Sequence, residues 1–129
     1  MKTIILSDGK LEVKEIENSL ENLQKIVGGY IEIPLLSKVF RQHNIDTIIN
    51  DEGKYIEGLR PQIALVDGRN NQVLDVVYGN CIFASHDEYG ETIGLNEEQI
   101  RVVMEELKQD TVMTYKDSEK EFIVKVLFV

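Results

Sequence analysis

The stretch 23-LQKIVGGYIEI-33 joins a helix-like pattern to a strand-like pattern through two glycines. Its apolar residues begin at helical spacing, and Asn18 or Ser19 stands before them as a suitable N-cap. Gly28 lies where a helix commonly ends in a left-handed residue, so it predicts the end of this helix. Gly29 either lets the chain reverse into a strand or lets the backbone approach a ligand closely.

Outward from this corner, short apolar runs separated by turn signals predict strands. The expected strands are 3–6 paired with 10–17, 30–36, 45–50 paired with 54–59 across 51-DEG-53, 63–66, a long run at 73–85, and 111–115 paired with 121–129. Pro34 cannot donate a ladder hydrogen bond, so it predicts a sheet edge or a break. Gly79, inside the long run, marks either a bulge or a close backbone approach. Residues 37–44 fit no single pattern.

A second helix is predicted after residue 95. Asn96 is a suitable N-cap, Gln99 completes a pattern like a capping box, and an apolar stripe runs from Ile100 to Leu107. The resulting fold class is α+β, with two helices packed on a mostly antiparallel sheet built from hairpins. The 129 residues fit one domain, 1–129.

Composition narrows the functional classes. The formal net charge of −9 disfavours direct binding to nucleic acid, because such a chain repels phosphate backbones. Cys81 is the one cysteine, so an intrachain disulfide is excluded. The apolar run after Met1 is too short for a signal peptide or a membrane span, which predicts a cytosolic protein without membrane contact.

The chain carries no recognised catalytic or cofactor-binding motif. Neither a phosphate-binding GxxxxGK[ST] or GxGxxG loop nor an HExxH metal motif is present, so no cofactor is expected. His43, His86 and Cys81 do not follow zinc-ligand spacing, and no metal site is expected. Cys81 stands in an apolar run, which is typical of a core residue. Triad residue types occur side by side in 85-SHD-87, but triads are assembled across a fold, so this run carries little signal.

Three segments resemble a known family. These are 23-LQKIVGGYIEI-33, 50-NDEGKYIEGL-59 and 78-YGNCIFASHDEYGETIGLNEEQI-100. In this order they resemble the domain-of-unknown-function family numbered 3846, over roughly residues 10–105. The chain departs from the family pattern at 59-LRPQIA-64, and its final hairpin lies outside the resemblance.

The resemblance implies a setting rather than a reaction. The family is common in phages, plasmids and other mobile elements, where small acidic proteins often act against host defences by binding a host protein or a nucleotide signal. The first hypothesis is therefore a non-enzymatic protein that sequesters a small nucleotide-derived ligand. Polar and glycine residues at element junctions are the candidate ligand-binding residues: Gly28, Gly29, Tyr30, Arg41, Asn50, Arg60, Gln62 and Asn80. Tyr30 would stack on a base, and Arg41 or Arg60 would meet a phosphate.

Two alternatives stay open at this point. One is an inhibitor that binds a host defence protein, with an acidic surface that could mimic nucleic acid. The other is a hydrolase of a nucleotide signal, using carboxylates or His43. An unpaired sheet edge near Pro34 or along Phe122–Val129 would also allow self-association.

Overall fold

The computed structural model describes residues 1–108 and 111–129. Its helices are Leu20–Val27 (α1), Lys38–Gln42 (α2) and Glu97–Glu106 (α3), with a 3-10 turn at Gly53–Tyr55. Its strands are Lys2–Ser7 (β1), Lys10–Glu15 (β2), Ile31–Glu32 (β3), Ile45–Asn50 (β4), Pro61–Asp67 (β5), Gln72–Tyr78 (β6), Cys81–His86 (β7), Thr92–Ile93 (β8), Val112–Asp117 (β9) and Lys120–Phe128 (β10).

The strands form two sheets. The first has the order β2-β1-β7-β4-β3, with the short β8 pairing the far end of β7, and its pairings are antiparallel. The second has the order β6-β5-β10-β9, in which β5 and β10 run parallel and the other pairs run antiparallel. The α+β class with mostly antiparallel sheets is therefore confirmed, while the prediction of two helices on one sheet is replaced by three α-helices and two sheets in the described residues.

The alternation of side chains in the first sheet separates two apolar clusters. On one face, Ile48 and Ile82 pack with Leu23 and Val27 of α1. The other face carries the larger cluster, in which side chains of both sheets meet side chains of α2 and α3. The rings of Phe40 and Phe83 meet there edge to face, with 5.8 Å between their centroids.

Local sequence signals account for the helices. Ser19 caps α1 by accepting a hydrogen bond from the Asn22 N–H, and Asn96 forms a complete capping box with Gln99. The ambiguous segment 37–44 contains α2, since the Ser37 hydroxyl accepts from the Phe40 N–H and the Phe40 ring is buried.

The expected long strand at 73–85 is wrong, because the chain breaks at Gly79. Gly79 takes φ +84°, a left-handed conformation that does not continue a strand. The residues before it form β6 in the second sheet, and those after it form β7 in the first. One apolar run thus contributes a strand to each of the two sheets.

The predicted hairpin of 45–50 with 54–59 is also wrong. β4 pairs with β7 and with β3, and residues 53–55 form the 3-10 turn instead of a returning strand. The strand expected at 30–36 is limited to Ile31–Glu32 at the edge of the first sheet. The terminal strand is no edge, because β10 pairs with β9 on one side and β5 on the other. The hairpins β1–β2 and β9–β10 are confirmed, and β5 with β6 forms a further antiparallel pair that the sequence analysis did not predict.

Gly53 holds the 3-10 turn against the second sheet. A Cβ at this position would lie 2.7 Å from the backbone carbonyl oxygen of Tyr78, so one of the two backbones would have to move. We expect Gly53→Ala to lower the free energy of unfolding by about 1–3 kcal/mol, as overpacking does. Urea denaturation measures the loss. Gly90→Ala is unsuitable as the control, because Gly90 has φ +80° and alanine is strained in that left-handed conformation. Gly68→Ala is the better control, because its Cβ would meet only the Phe128 ring, at 3.8 Å.

None of the α-helices in residues 1–108 and 111–129 has the length and apolar character needed to cross a membrane.

Candidate functional site

The corner at the end of α1 is held by backbone geometry. Gly28 takes φ +86°, and the N–H groups of Gly28 and Gly29 both donate to the Gln24 carbonyl oxygen, at 2.8 and 3.0 Å. This is the left-handed helix ending predicted for Gly28. A Cβ on Gly29 would lie 2.9 Å from Nδ2 of Asn50, so Gly29 leaves room for a protein side chain.

Two predicted ligand-binding asparagines close the same corner. Asn50 Nδ2 donates to the Val27 carbonyl oxygen at 3.2 Å, and Asn80 Nδ2 donates to the Ile26 carbonyl oxygen at 3.1 Å. Asn50 Oδ1 also accepts from the Glu52 N–H at 2.9 Å. These amides therefore satisfy carbonyl groups that the end of α1 leaves without helical partners.

The Tyr30 side chain lies in solvent beside this corner. Its side chain is 73% exposed, and its carbonyl oxygen accepts from the Asp51 N–H at 3.0 Å. Five surface clefts are prominent in the described part of the chain, and Tyr30 lines none of them. Arg41 lies on α2, is exposed and lines none of the five either.

Arg60 and Gln62 lie together at the β1–β2 turn. Arg60 Nη2 donates to the Ile123 carbonyl oxygen at 2.9 Å, and the guanidinium packs over Gly9, where a Cβ would be 3.0 Å from Nη2. Gln62 Oε1 accepts from the Gly9 N–H at 3.0 Å. The side chains of this pair thus join the β1–β2 turn to the second sheet.

Not every N–H group of the Arg60 guanidinium has a hydrogen-bond acceptor. Its Nε is buried and has no acceptor among residues 1–108 and 111–129. Arg69 and Arg101 each pair with a carboxylate, whereas no described carboxylate lies within 4.0 Å of Arg60. Buried polar groups are ordinarily paired. An arginine without a carboxylate partner is therefore unusual, the more so in a chain of net charge −9.

Arg60 lines the largest of the five clefts, which has a volume of about 650 Å³. We call it the Arg60 cleft. One wall is the segment before β5, and the other is the turn of the β9–β10 hairpin. Its lining residues are Glu57, Gly58, Leu59, Arg60, Asp117, Ser118, Glu119, Lys120 and Phe122. The cleft combines a guanidinium, an aromatic ring and a hydroxyl, which are groups that hold an organic anion.

The predicted ligand-binding residues therefore form separate groups. Gly28, Gly29, Asn50 and Asn80 come together at the end of α1, while Arg60 and Gln62 come together about the β1–β2 turn. Tyr30 and Arg60 share none of the five clefts. Phe122 was missed because nothing in the sequence indicates that the terminal hairpin lies beside Arg60.

The potential catalytic groups are dispersed. Cys81 is fully buried, and burial raises the pKa of its thiol to about 12, so the thiolate is disfavoured. His43 Nδ1 lies 2.9 Å from the Val39 carbonyl oxygen. His86 Nδ1 lies 3.0 Å from Asp46 Oδ2, a pairing across 40 residues that no local pattern signals. Within the described residues, no three of His, Cys, Asp and Glu are grouped so as to hold a metal ion.

Comparison with known proteins places the chain in a family. The family model described as Domain of unknown function (DUF3846) matches residues 1–108. The chain belongs to the DUF3846 family. The match ends before β9, so one wall of the Arg60 cleft comes from the DUF3846 region and the other from the terminal hairpin outside it. Searches of the curated proteins and of the solved structures gave no significant match.

Proposed function

We propose that this DUF3846 protein is a non-enzymatic binding protein that sequesters a small nucleotide-derived ligand in the Arg60 cleft. The observation that supports this most is the Arg60 guanidinium, which lines the largest cleft and has no carboxylate within 4.0 Å in the described part of the chain. A phosphate oxygen in the cleft would accept a charge-assisted hydrogen bond from the guanidinium.

The rest of the lining defines the ligand further. Phe122 and Leu59 offer apolar surface to a base, and stacking on an aromatic ring contributes about 1–3 kcal/mol per base. Three carboxylates, those of Glu57, Asp117 and Glu119, stand against two cations, Arg60 and Lys120. This balance disfavours polyphosphates and favours a ligand with one anionic phosphate, such as a cyclic mononucleotide, over a diphosphate such as ADP-ribose.

The resemblance to a family common in phages and other mobile elements supports the biological setting of this proposal. A protein of a phage or another mobile element that holds such a ligand in the host cytosol would withdraw a nucleotide signal from host defence. Binding without turnover is favoured over hydrolysis because His43, the histidine that the hydrolase alternative would use, does not line the Arg60 cleft.

Titration calorimetry against cyclic mononucleotides, cyclic dinucleotides and ADP-ribose-type nucleotides tests the proposal. We expect one class to bind the native protein and to bind Arg60→Gln about ten- to a hundredfold more weakly, since hydrogen bonds to charged groups are worth about 1.5–3 kcal/mol. Arg41→Gln removes an exposed arginine elsewhere and should bind as the native protein does.

A flat titration across the whole panel would contradict the proposal, as would equal affinities of the native protein and Arg60→Gln. Chromatography of the mixture after titration gives a separate readout. Conversion of a nucleotide to product would favour the hydrolase that the sequence leaves open.

A second candidate function is inhibition of a host protein through direct binding. It is favoured by the net charge of −9 together with large apolar side chains that are exposed away from Arg60, including Leu35, Tyr55 and Leu74. A partner that covers such side chains would gain the burial that the isolated chain lacks.

A further inference from the structure

Two adjoining clefts meet at β6, the edge strand of the second sheet. The first, of about 330 Å³, lies between the β3 edge and β6, and the second, of about 370 Å³, continues along β6. They share Lys54, Asp75, Val76 and Tyr78. We call this combined surface the β6 groove.

Large apolar side chains line the β6 groove and remain exposed. Tyr55 is 86% exposed, Leu35 69% and Leu74 55%, and Val73 is exposed beside them. Single exposed apolar residues are common, but several along one groove mark an interaction surface. The Arg60 cleft shares no lining residue with this groove.

Strand β6 is irregular at Leu74. Asp75 is opposite Leu65 and Val73 is opposite Val66, so Leu74 is the extra residue of a β-bulge. The Asp75 side chain accepts from the Val76 N–H at 2.8 Å, which occupies a backbone donor of this edge strand. A bulge and an occupied donor hinder the addition of another strand, so the groove favours docking of side chains.

The charge of the β6 groove is negative. Glu32, Asp51 and Asp75 line the first cleft, and the one described cation there is Lys54. Lys54 is paired with Asp75, and this hydrogen bond raises the pKa of the Lys54 ammonium. Two carboxylates, Glu32 and Asp51, are therefore left to attract positive charge from a partner.

We propose that the β6 groove docks a short segment of another protein that carries a large apolar side chain flanked by lysine or arginine. The apolar side chain would pack on the exposed apolar side chains of the groove, such as Leu35 or Leu74, and the flanking cations would meet Glu32 and Asp51. This inference rests on the second candidate function and is independent of the ligand proposed for the Arg60 cleft. Basic charge in the partner also agrees with the acidic character of the whole chain.

Fluorescence anisotropy with two labelled peptides tests this site. One probe has the sequence Lys-Lys-Leu-Tyr-Leu-Lys-Lys, and the other replaces every lysine by glutamate. We expect the lysine probe to bind, to weaken as salt is added, and to bind the double variant Leu35→Ser/Leu74→Ser at least about tenfold more weakly. The glutamate probe should not bind.

Two control variants make the result specific. Val13→Ser changes an apolar residue of β2 that is 47% exposed and outside the β6 groove, and it should bind the lysine probe as the native protein does. Arg60→Gln should also leave peptide binding unchanged, which separates this proposal from the nucleotide proposal. Circular dichroism of each variant checks that it is folded.

Several outcomes would overturn the inference. They are no binding of the lysine probe, equal binding of both probes, and undiminished binding to a folded Leu35→Ser/Leu74→Ser variant. Sedimentation of the free protein adds one more: a dimer that this double variant dissociates would assign the β6 groove to a second copy of the chain instead.

Discussion

Phe83→Ala should lower the free energy of unfolding by about 3–5 kcal/mol, because it empties the centre of the larger apolar cluster. The Phe83 side chain is completely buried and packs edge to face against Phe40, which is also buried. Its strand, β7, lies between β1 and β4, so the surroundings have little freedom to collapse into the space. Urea denaturation followed by circular dichroism measures the loss.

Val13→Ala is the matched control for this substitution. Val13 is an apolar strand residue with 47% of its surface exposed, and its truncation should change the free energy of unfolding by less than about 0.5 kcal/mol. If Phe83→Ala proved as mild as Val13→Ala, the central position of Phe83 between the helices and the sheets would be wrong.

The second large effect is expected for Asn50→Ala. Asn50 is 3% exposed. Its side-chain amide donates to the Val27 carbonyl oxygen and accepts from the Glu52 N–H. Removing the Asn50 amide leaves these two groups without partners in a place with little access to water. Each group that remains buried lowers the free energy of unfolding by about 1–3 kcal/mol. We expect the end of α1 to exchange its amide protons faster as well, which hydrogen exchange measures.

Asn18→Ala provides the comparison for Asn50→Ala. Asn18 Nδ2 donates to the Thr92 carbonyl oxygen at 2.9 Å, but this bond is exposed, so water can replace it. Equal losses in the two variants would show that burial of the Asn50 hydrogen bonds is unimportant. In that case the amides of the α1 corner would be free to bind a ligand, as the sequence suggested.

Local signals allowed helix ends and two hairpins to be predicted. Gly28 ends α1 because its left-handed backbone suits glycine, and Asn96 with Gln99 begins α3 through reciprocal hydrogen bonds. Both effects act within a few residues, so the sequence displays them directly. The β1–β2 and β9–β10 hairpins were likewise predicted, because each joins two apolar runs through a short turn.

The same local signals do not predict which strands pair when they are distant in the sequence. The apolar run 73–85 is equally compatible with one long buried strand, and only the left-handed Gly79 and the presence of two sheets divide it. The loop at 51–53 fits a hairpin, but β7 and β3 pair with β4 in place of the expected neighbour. Strand partners depend on burial across the whole molecule, which a local pattern does not contain.

The candidate site was predictable in part for the same reason. Arg60 could be selected because an acidic chain needs a local cation to hold an anion, whereas its placement beside Phe122 depends on the parallel pairing of β5 with β10. Tyr30 was selected as an aromatic at a glycine corner, yet that corner is filled by Asn50 and Asn80. Residue types indicate which chemistry is available, and the fold decides which groups meet.

The most direct test of a nucleotide site at Arg60 is the ¹⁵N NMR signal of the arginine Nε–H groups during a titration with cyclic mononucleotides. We expect the Arg60 signal to shift strongly and saturably as its guanidinium gains a phosphate acceptor, while the signals of Arg41, Arg69 and Arg101 stay in place. An Arg60 signal that does not move with any cyclic mononucleotide, or a shift confined to Arg41, would contradict the assignment of this cleft as the binding site.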